Sequence, residues 1–146
     1  MTLAALLAAI ASTIEAISID ATVDNDARFR CFVAPTPTQA SEIMFPRATT
    51  IESAGSVPVE PGLLCDEWSA EVEIGTFYPL GQAGAGVQSQ LVIAATESDL
   101  IATTLRSWAR TEDDVNDVQM AAPDLFTIEG EGHVASRTYT VSYRRT

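Results

Sequence analysis

The chain has 146 residues, a formal net charge of −12, one histidine (His133) and two cysteines (Cys31 and Cys65), with 47% hydrophobic and 19% charged residues. That length and composition suit one globular domain, 1–146, with a core of its own. All eight basic residues are arginine, which excludes Schiff-base, P-loop and serine–lysine chemistry, while three His/Cys ligands are too few for a closed zinc site and the acidic balance disfavours gripping nucleic acid.

The first apolar run, Met1-Thr-Leu-Ala-Ala-Leu-Leu-Ala-Ala-Ile-Ala11, has no positive residue before Arg28. It is too short for a membrane span and lacks the charged start of a secretory leader. Leu3, Leu6, Leu7, Ile10, Ile14 and Ile17 recur at helical spacing behind Thr2, a good N-cap, so an amphipathic helix over about 3–18 is expected. Asp24-Asn-Asp26 reads as a turn. Alternation over 27–34 predicts a strand ended by Pro35 and Pro37. A weaker strand is expected within 42–54, interrupted by Pro46, followed by a loop over 55–62.

The clearest strand is 65–78, where Trp68, Ala70, Val72, Ile74 and Thr76 face one way and Ser69, Glu71, Glu73 and Gly75 the other. Such alternation indicates a sheet with one buried and one wet face. Residues 79–86 form a glycine-rich loop. Residues 88–95 fit a helix or a short strand. Thr96-Glu-Ser-Asp99 has capping-box spacing, and a helix is expected from there to about Arg110. After an acidic loop over 111–116, strands near 117–129 and 133–144 are joined by a Glu129-Gly-Glu-Gly132 turn. The order α-β-β-β-α-β-β predicts an α+β domain: a mainly antiparallel sheet of four to five strands with two helices packed on it.

Candidate sites are few. Gly81, Gly84 and Gly86 reverse the order of the dinucleotide fingerprint, with no lysine or βαβ unit. His133 has no nucleophile elbow to serve and reads as a surface residue after a turn. Glu71 and Glu73 sit two apart on a strand face, a spacing open to acid–base work but also that of an ordinary solvated face. Asp24/Asp26 and Glu112/Asp113/Asp114/Asp117 do not match an EF-hand loop. No catalytic, metal or cofactor residue is therefore expected. Cys31 and Cys65 read as free buried thiols.

Charge is uneven. Residues 61–100 carry six acids and no arginine, 101–131 seven acids and two arginines, and 132–146 three arginines (Arg137, Arg144 and Arg145) and no acid. A basic edge of one copy meeting an acidic face of the next would set register and partner choice. Phe77, Tyr78, Leu80 and Gln82, leading into the glycine loop, and the three C-terminal arginines are the expected interface residues, the apolar ones competing with a reading in which they close the core.

With these elements in order, the chain resembles a tail terminator protein of long-tailed bacteriophages. The features that carry the resemblance are the N-terminal helix over 3–17, the strand Trp68-Ser-Ala-Glu-Val-Glu-Ile-Gly-Thr-Phe-Tyr-Pro79 running into a loop, the helix around Ala95-Thr-Glu-Ser-Asp-Leu-Ile-Ala-Thr-Thr-Leu105, and the closing strand Arg137-Thr-Tyr-Thr-Val-Ser-Tyr-Arg144. The resemblance implies a non-enzymatic ring, usually of six copies, made in the host cytoplasm and carried in the neck of the virion. It would cap the tail tube protein and meet the head–tail connector or stopper, and DNA would slide through its lumen without specific binding or any membrane contact. A stopper, adaptor or tube-associated protein, and a small-ligand or peptide-binding module, are the alternatives.

Overall fold

A computed structural model of the chain describes residues 1–19, 28–33, 46–60, 66–79, 87–128 and 130–145, the side chains of 87–89 excepted. The elements are α1 (Leu3–Glu15), β1 (Arg30–Val33), β2 (Ala48–Pro58), β3 (Glu67–Pro79), α2 (Val87–Thr111), β4 (Val115–Met120), β5 (Asp124–Ile128) and β6 (Gly132–Arg144). The expected α+β class is found. One six-stranded sheet has the order β1-β2-β3-β6-β4, with β5 also on β6. Every pairing is antiparallel except β1 with β2.

Helix α1 starts where Thr2 accepts a hydrogen bond from the Ala5 amide (3.1 Å), satisfying a donor that the first turn leaves open. It is shorter than expected, ending at Glu15. Leu6, Leu7, Ile10, Ala11 and Ile14 form its buried stripe. Helix α2 is far longer than expected. Gln90, Ala94, Glu97, Ser98, Ile101, Ala102, Leu105 and Ala109 are all buried, so one stripe runs through the 88–95 stretch. Thr96–Asp99 is therefore mid-helix and not a cap. Both helices contribute to the main core, with Ala70, Val72 and Ile74 of β3 and Tyr139, Val141 and Tyr143 of β6. No described helix is long and apolar enough to cross a membrane.

Strand β2 corrects two expectations. It begins only after the Pro46-Arg47 turn and continues through the predicted loop to Pro58. Gly55, at φ +134°, is a register shift inside the strand, with its amide donating to Ser53 Oγ (3.3 Å). The single strand expected over 117–129 is two. Pro123 has no amide to give the β6 ladder, and the chain leaves β6 between Met120 and Asp124. The acidic 111–116 loop shrinks likewise, because α2 reaches Thr111 and β4 starts at Val115.

Cys31 is a free thiol whose pKa burial, and secondarily Glu15, push up to about 12. Only the thiolate is a nucleophile. Alkylation of Cys31 in the folded protein at pH 8 is therefore expected to be roughly 1,000-fold slower than in the unfolded chain. Mass spectrometry of time-quenched samples measures this; labelling at equal rates in both states would contradict it.

Candidate functional site

Two surfaces and one buried network are distinctive. The first surface is the face of the sheet opposite the helices. Register puts Glu52 directly across from Glu73, and Thr138 and Thr140 across from Glu73 and Glu71. Glu71 is exposed, while Glu52 and Glu73 are partly so. Ser136 Oγ donates to Glu73 Oε1 at 3.2 Å. Partial burial, and then the neighbouring Glu73 carboxylate, push the pKa of Glu52 up. A hollow of about 510 Å3 is lined by Glu52, Ser53, Ala54, Glu71, Glu73 and Thr138 together with Leu7 of α1. The alternation read from the sequence thus places both glutamates on the wet face. Like charges side by side, with hydroxyls between them, make a polar surface that repels anions.

The second surface is the pair of sheet edges. Among the described residues no strand pairs with the outer side of β1 or of β4 and β5. Leu125 is 38%, Phe126 40% and Val33 40% exposed. The sequence reading missed this, because it placed 124–128 inside one longer strand.

The network lies at the junction of β2, β3 and α2. Arg47 is fully buried and holds Glu97 with two hydrogen bonds, Nε to Oε1 (2.7 Å) and Nη2 to Oε2 (2.8 Å). Tyr78 donates its hydroxyl to Glu97 Oε1 at 2.7 Å. Gln90 Nε2 donates to the Pro79 carbonyl at 2.8 Å. Arg47 takes φ +55°, a left-handed conformation costly for a side chain with a Cβ. Its own amide donates to the Phe77 carbonyl (2.9 Å) and its carbonyl accepts from the Arg30 amide (3.2 Å), so the turn is tied to both neighbouring strands. A second cross-link joins Arg137 Nη2 to Asp99 at 2.8 Å. The polar run that mimics a cap is polar because Glu97 and Asp99 each answer a buried arginine.

Several expected interface residues lie inside the subunit. Phe77 is fully buried, Tyr78 is 1% and Arg137 8% exposed. These side chains have little surface to offer a partner; Tyr78 and Arg137 lie against α2, where they bind Glu97 and Asp99, while Phe77 is buried on the opposite face of the sheet. Arg144 and Arg145 are exposed, and the Arg145 guanidinium lies 4.2 Å over the Trp68 ring. Their amides donate to the Asp114 and Asp66 carbonyls (2.7 and 2.8 Å), so the basic end runs between acidic segments. Leu80, Gln82, Gly81, Gly84, Gly86, Asp24, Asp26 and Cys65 lie outside the described residues. His133 is 1% exposed, not a surface residue. It opens β6 facing inward beside Tyr78, where Nδ1 and Thr127 Oγ1 share a hydrogen bond (2.9 Å) and Nε2 has no partner among the described residues. Among the described residues, no three His, Cys, Asp or Glu side chains are grouped to hold a metal.

Burial, followed by the Glu97 carboxylate, raises the pKa of Tyr78 well above 10; burial is also the main cause that pushes Tyr139 up to about 12. A raised folded-state pKa means that stability is intact below pH 10 and is lost as pH climbs towards 12 and beyond. Phenolate absorbance is expected to appear together with loss of near-UV circular dichroism. Ionisation of both Tyr78 and Tyr139 near pH 10 with the fold intact would contradict the burial.

The chain matches no protein-family model and no curated protein.

Proposed function

We propose that this chain is a non-enzymatic structural subunit of a phage virion that assembles into a ring of tail-terminator type, capping the tail tube at the head–tail joint. The observation that carries the reading is the asymmetry of the sheet. One face is covered by both helices; the other carries Glu52, Glu71 and Glu73 among threonines and serines over one half, while Ala48, Thr50, Phe77 and Val134 in the other half of that face are buried. In a ring, the helix-free face lines the bore and the helices form the outside. Acidic walls with mobile hydroxyls repel a passing DNA backbone, so DNA slides without being held, the effect extending over a Debye length of about 8–10 Å. The buried Arg47–Glu97 pair supports a structural role, since it braces two elements and offers no accessible group to a substrate. The sequence-based resemblance to tail terminators supplies the place in the virion.

Light scattering on the purified chain tests this reading. A discrete closed multiple of the 15.6 kDa subunit is expected, near six copies. A monomer at all accessible concentrations would overturn it.

A further inference from the structure

Among the described residues, four stretches of the sheet have no strand on their outer side: β1, β2 beyond Ile51, β4 and β5. Open edges are templates for another strand, and proteins blunt the ones they do not use. Three of the four are blunted. β1 is the shortest, at four residues, and only its last one is exposed. The free part of β2 carries the register shift between Ser53 and Ser56 and ends on Pro58. β4 carries a register shift between Val115 and Asp117, and its exposed residues are the polar Asn116, Asp117 and Gln119. β5 has neither device. Its register on β6 is unbroken, it holds no proline, and four of its five residues are exposed, Leu125 and Phe126 among them. We propose that β5 is a strand-addition site whose occupant is a basic, extended segment of another protein. The site belongs to the single subunit, so the inference goes beyond the ring reading and stands without it.

The side chains of β5 define the strand it accepts. Asp124 and Phe126 lie on the helix-free face, in the rows of Ser136 and Val134, while Leu125 and Thr127 lie on the helix side with Ala135 and His133. An added strand therefore meets a carboxylate and an aromatic ring on one face and a leucine on the other. Cross-strand pairing favours a cation beside the first and apolar or β-branched residues beside the other two. The wider charge has the same sign. From residue 111 to 136 the chain has seven acids (Glu112, Asp113, Asp114, Asp117, Asp124, Glu129 and Glu131) and no arginine. The next arginine along β6, Arg137, is taken up by Asp99, and Arg106 and Arg110 of α2 flank β4 at Asn116, Asp117 and Val118.

Charge also decides against a second copy of the same edge. Antiparallel self-pairing about Phe126 brings Asp124 of each copy alongside Ile128 and Glu129 of the other, so carboxylates gather at both ends of the joint. Asp124 thus acts as a selector, repelling acidic strands and admitting basic ones.

Fluorescence anisotropy of a labelled synthetic peptide, Lys-Thr-Thr-Val-Val-Lys-Lys, tests the site. The peptide is expected to saturate the wild-type chain below about 1 mM, and its counterpart with glutamate for every lysine is expected not to bind. Asp124→Lys is expected to weaken the basic peptide roughly fivefold, with far-UV circular dichroism and thermal melting as folding controls. Backbone pairing is read separately. A strand bonds to one neighbour through alternate residues only, so N-methylation of one alternate set of peptide amides is expected to abolish binding and methylation of the other set to leave it. Equal binding by both methylated peptides shows adherence by charge alone and overturns strand addition. Equal binding by the glutamate peptide overturns the selection for a basic segment. Failure of the parent peptide to bind overturns the proposal, and if Phe126→Lys then disperses an assembly of the wild-type chain, the edge is an interface between copies instead.

Discussion

Glu97→Ala is expected to lower stability by about 3–5 kcal/mol, the usual cost of stranding one partner of a buried ion pair. For a chain of this size that is a drop in Tm of roughly 10–15 °C. The reason is geometric. Glu97 sits in the middle of α2, 4% exposed, and accepts from Arg47 twice and from Tyr78 once. Its removal takes two charge-assisted hydrogen bonds from a fully buried guanidinium and one from a buried phenol. The Arg47→Met/Glu97→Leu double variant is expected to recover most of the loss, because the pair itself contributes little beyond a well-packed apolar substitute. Differential scanning calorimetry of the wild-type, single and double variants distinguishes the two effects. A single variant within 1 kcal/mol of wild type would show that the network does not brace the fold.

The second large effect concerns the acidic face. Glu71→Lys/Glu73→Lys changes side chains that are exposed or partly exposed, away from the core cluster, so folding and assembly are expected to survive. The bore surface would change from repelling to attracting phosphate. Duplex DNA, which the wild-type protein is expected to leave unbound, would then bind with a steep salt dependence. The log of its affinity would fall by roughly 0.9 per phosphate contact per log unit of salt. Fluorescence anisotropy with a labelled duplex over 50–300 mM salt reads this directly. If reversing both charges leaves DNA affinity unchanged, the face does not meet DNA in the way proposed.

The local patterns were legible. Alternation in 65–78 placed Ala70, Val72 and Ile74 in the core and Glu71 on the wet face, as the structure has them. The helical spacing of Leu6, Leu7, Ile10 and Ile14 found α1. What could not be read locally was the non-local pairing. Glu97 and Asp99 look like cap residues in their own window, because their partners stand 50 and 38 positions away in sequence. That misplaced the start of α2, found at Val87, by nearly three turns and hid the buried network. His133 follows a turn, which suggested exposure, yet it opens a strand whose first residues are already covered. The edges were hidden for a related reason. Whether a strand such as 124–128 is central or outermost depends on the order of strands in the sheet, and sequence order does not fix that order.

The face assignment also explains why the net charge is so one-sided. Of the eight arginines, Arg47 is spent in a buried ion pair, the buried Arg137 binds the exposed Asp99, and Arg145 lies over Trp68. The helix-free face keeps Glu52, Glu71 and Glu73 with no basic residue among its neighbours on β2, β3 and the paired stretch of β6 from Ser136 to Ser142 other than Arg137, which points to the helix side and binds Asp99. Glu52, Glu71 and Glu73, three of the twenty acidic residues, thus lie on the surface that the proposed ring turns inward.

Cryo-electron microscopy of the purified chain tests the central claim most directly. The account predicts closed rings of one diameter in which the β2-β3-β6 face, with Glu71 and Glu73, lines the bore and α1 and α2 lie outside. Isolated monomers, or rings with the helices turned toward the bore, would contradict it.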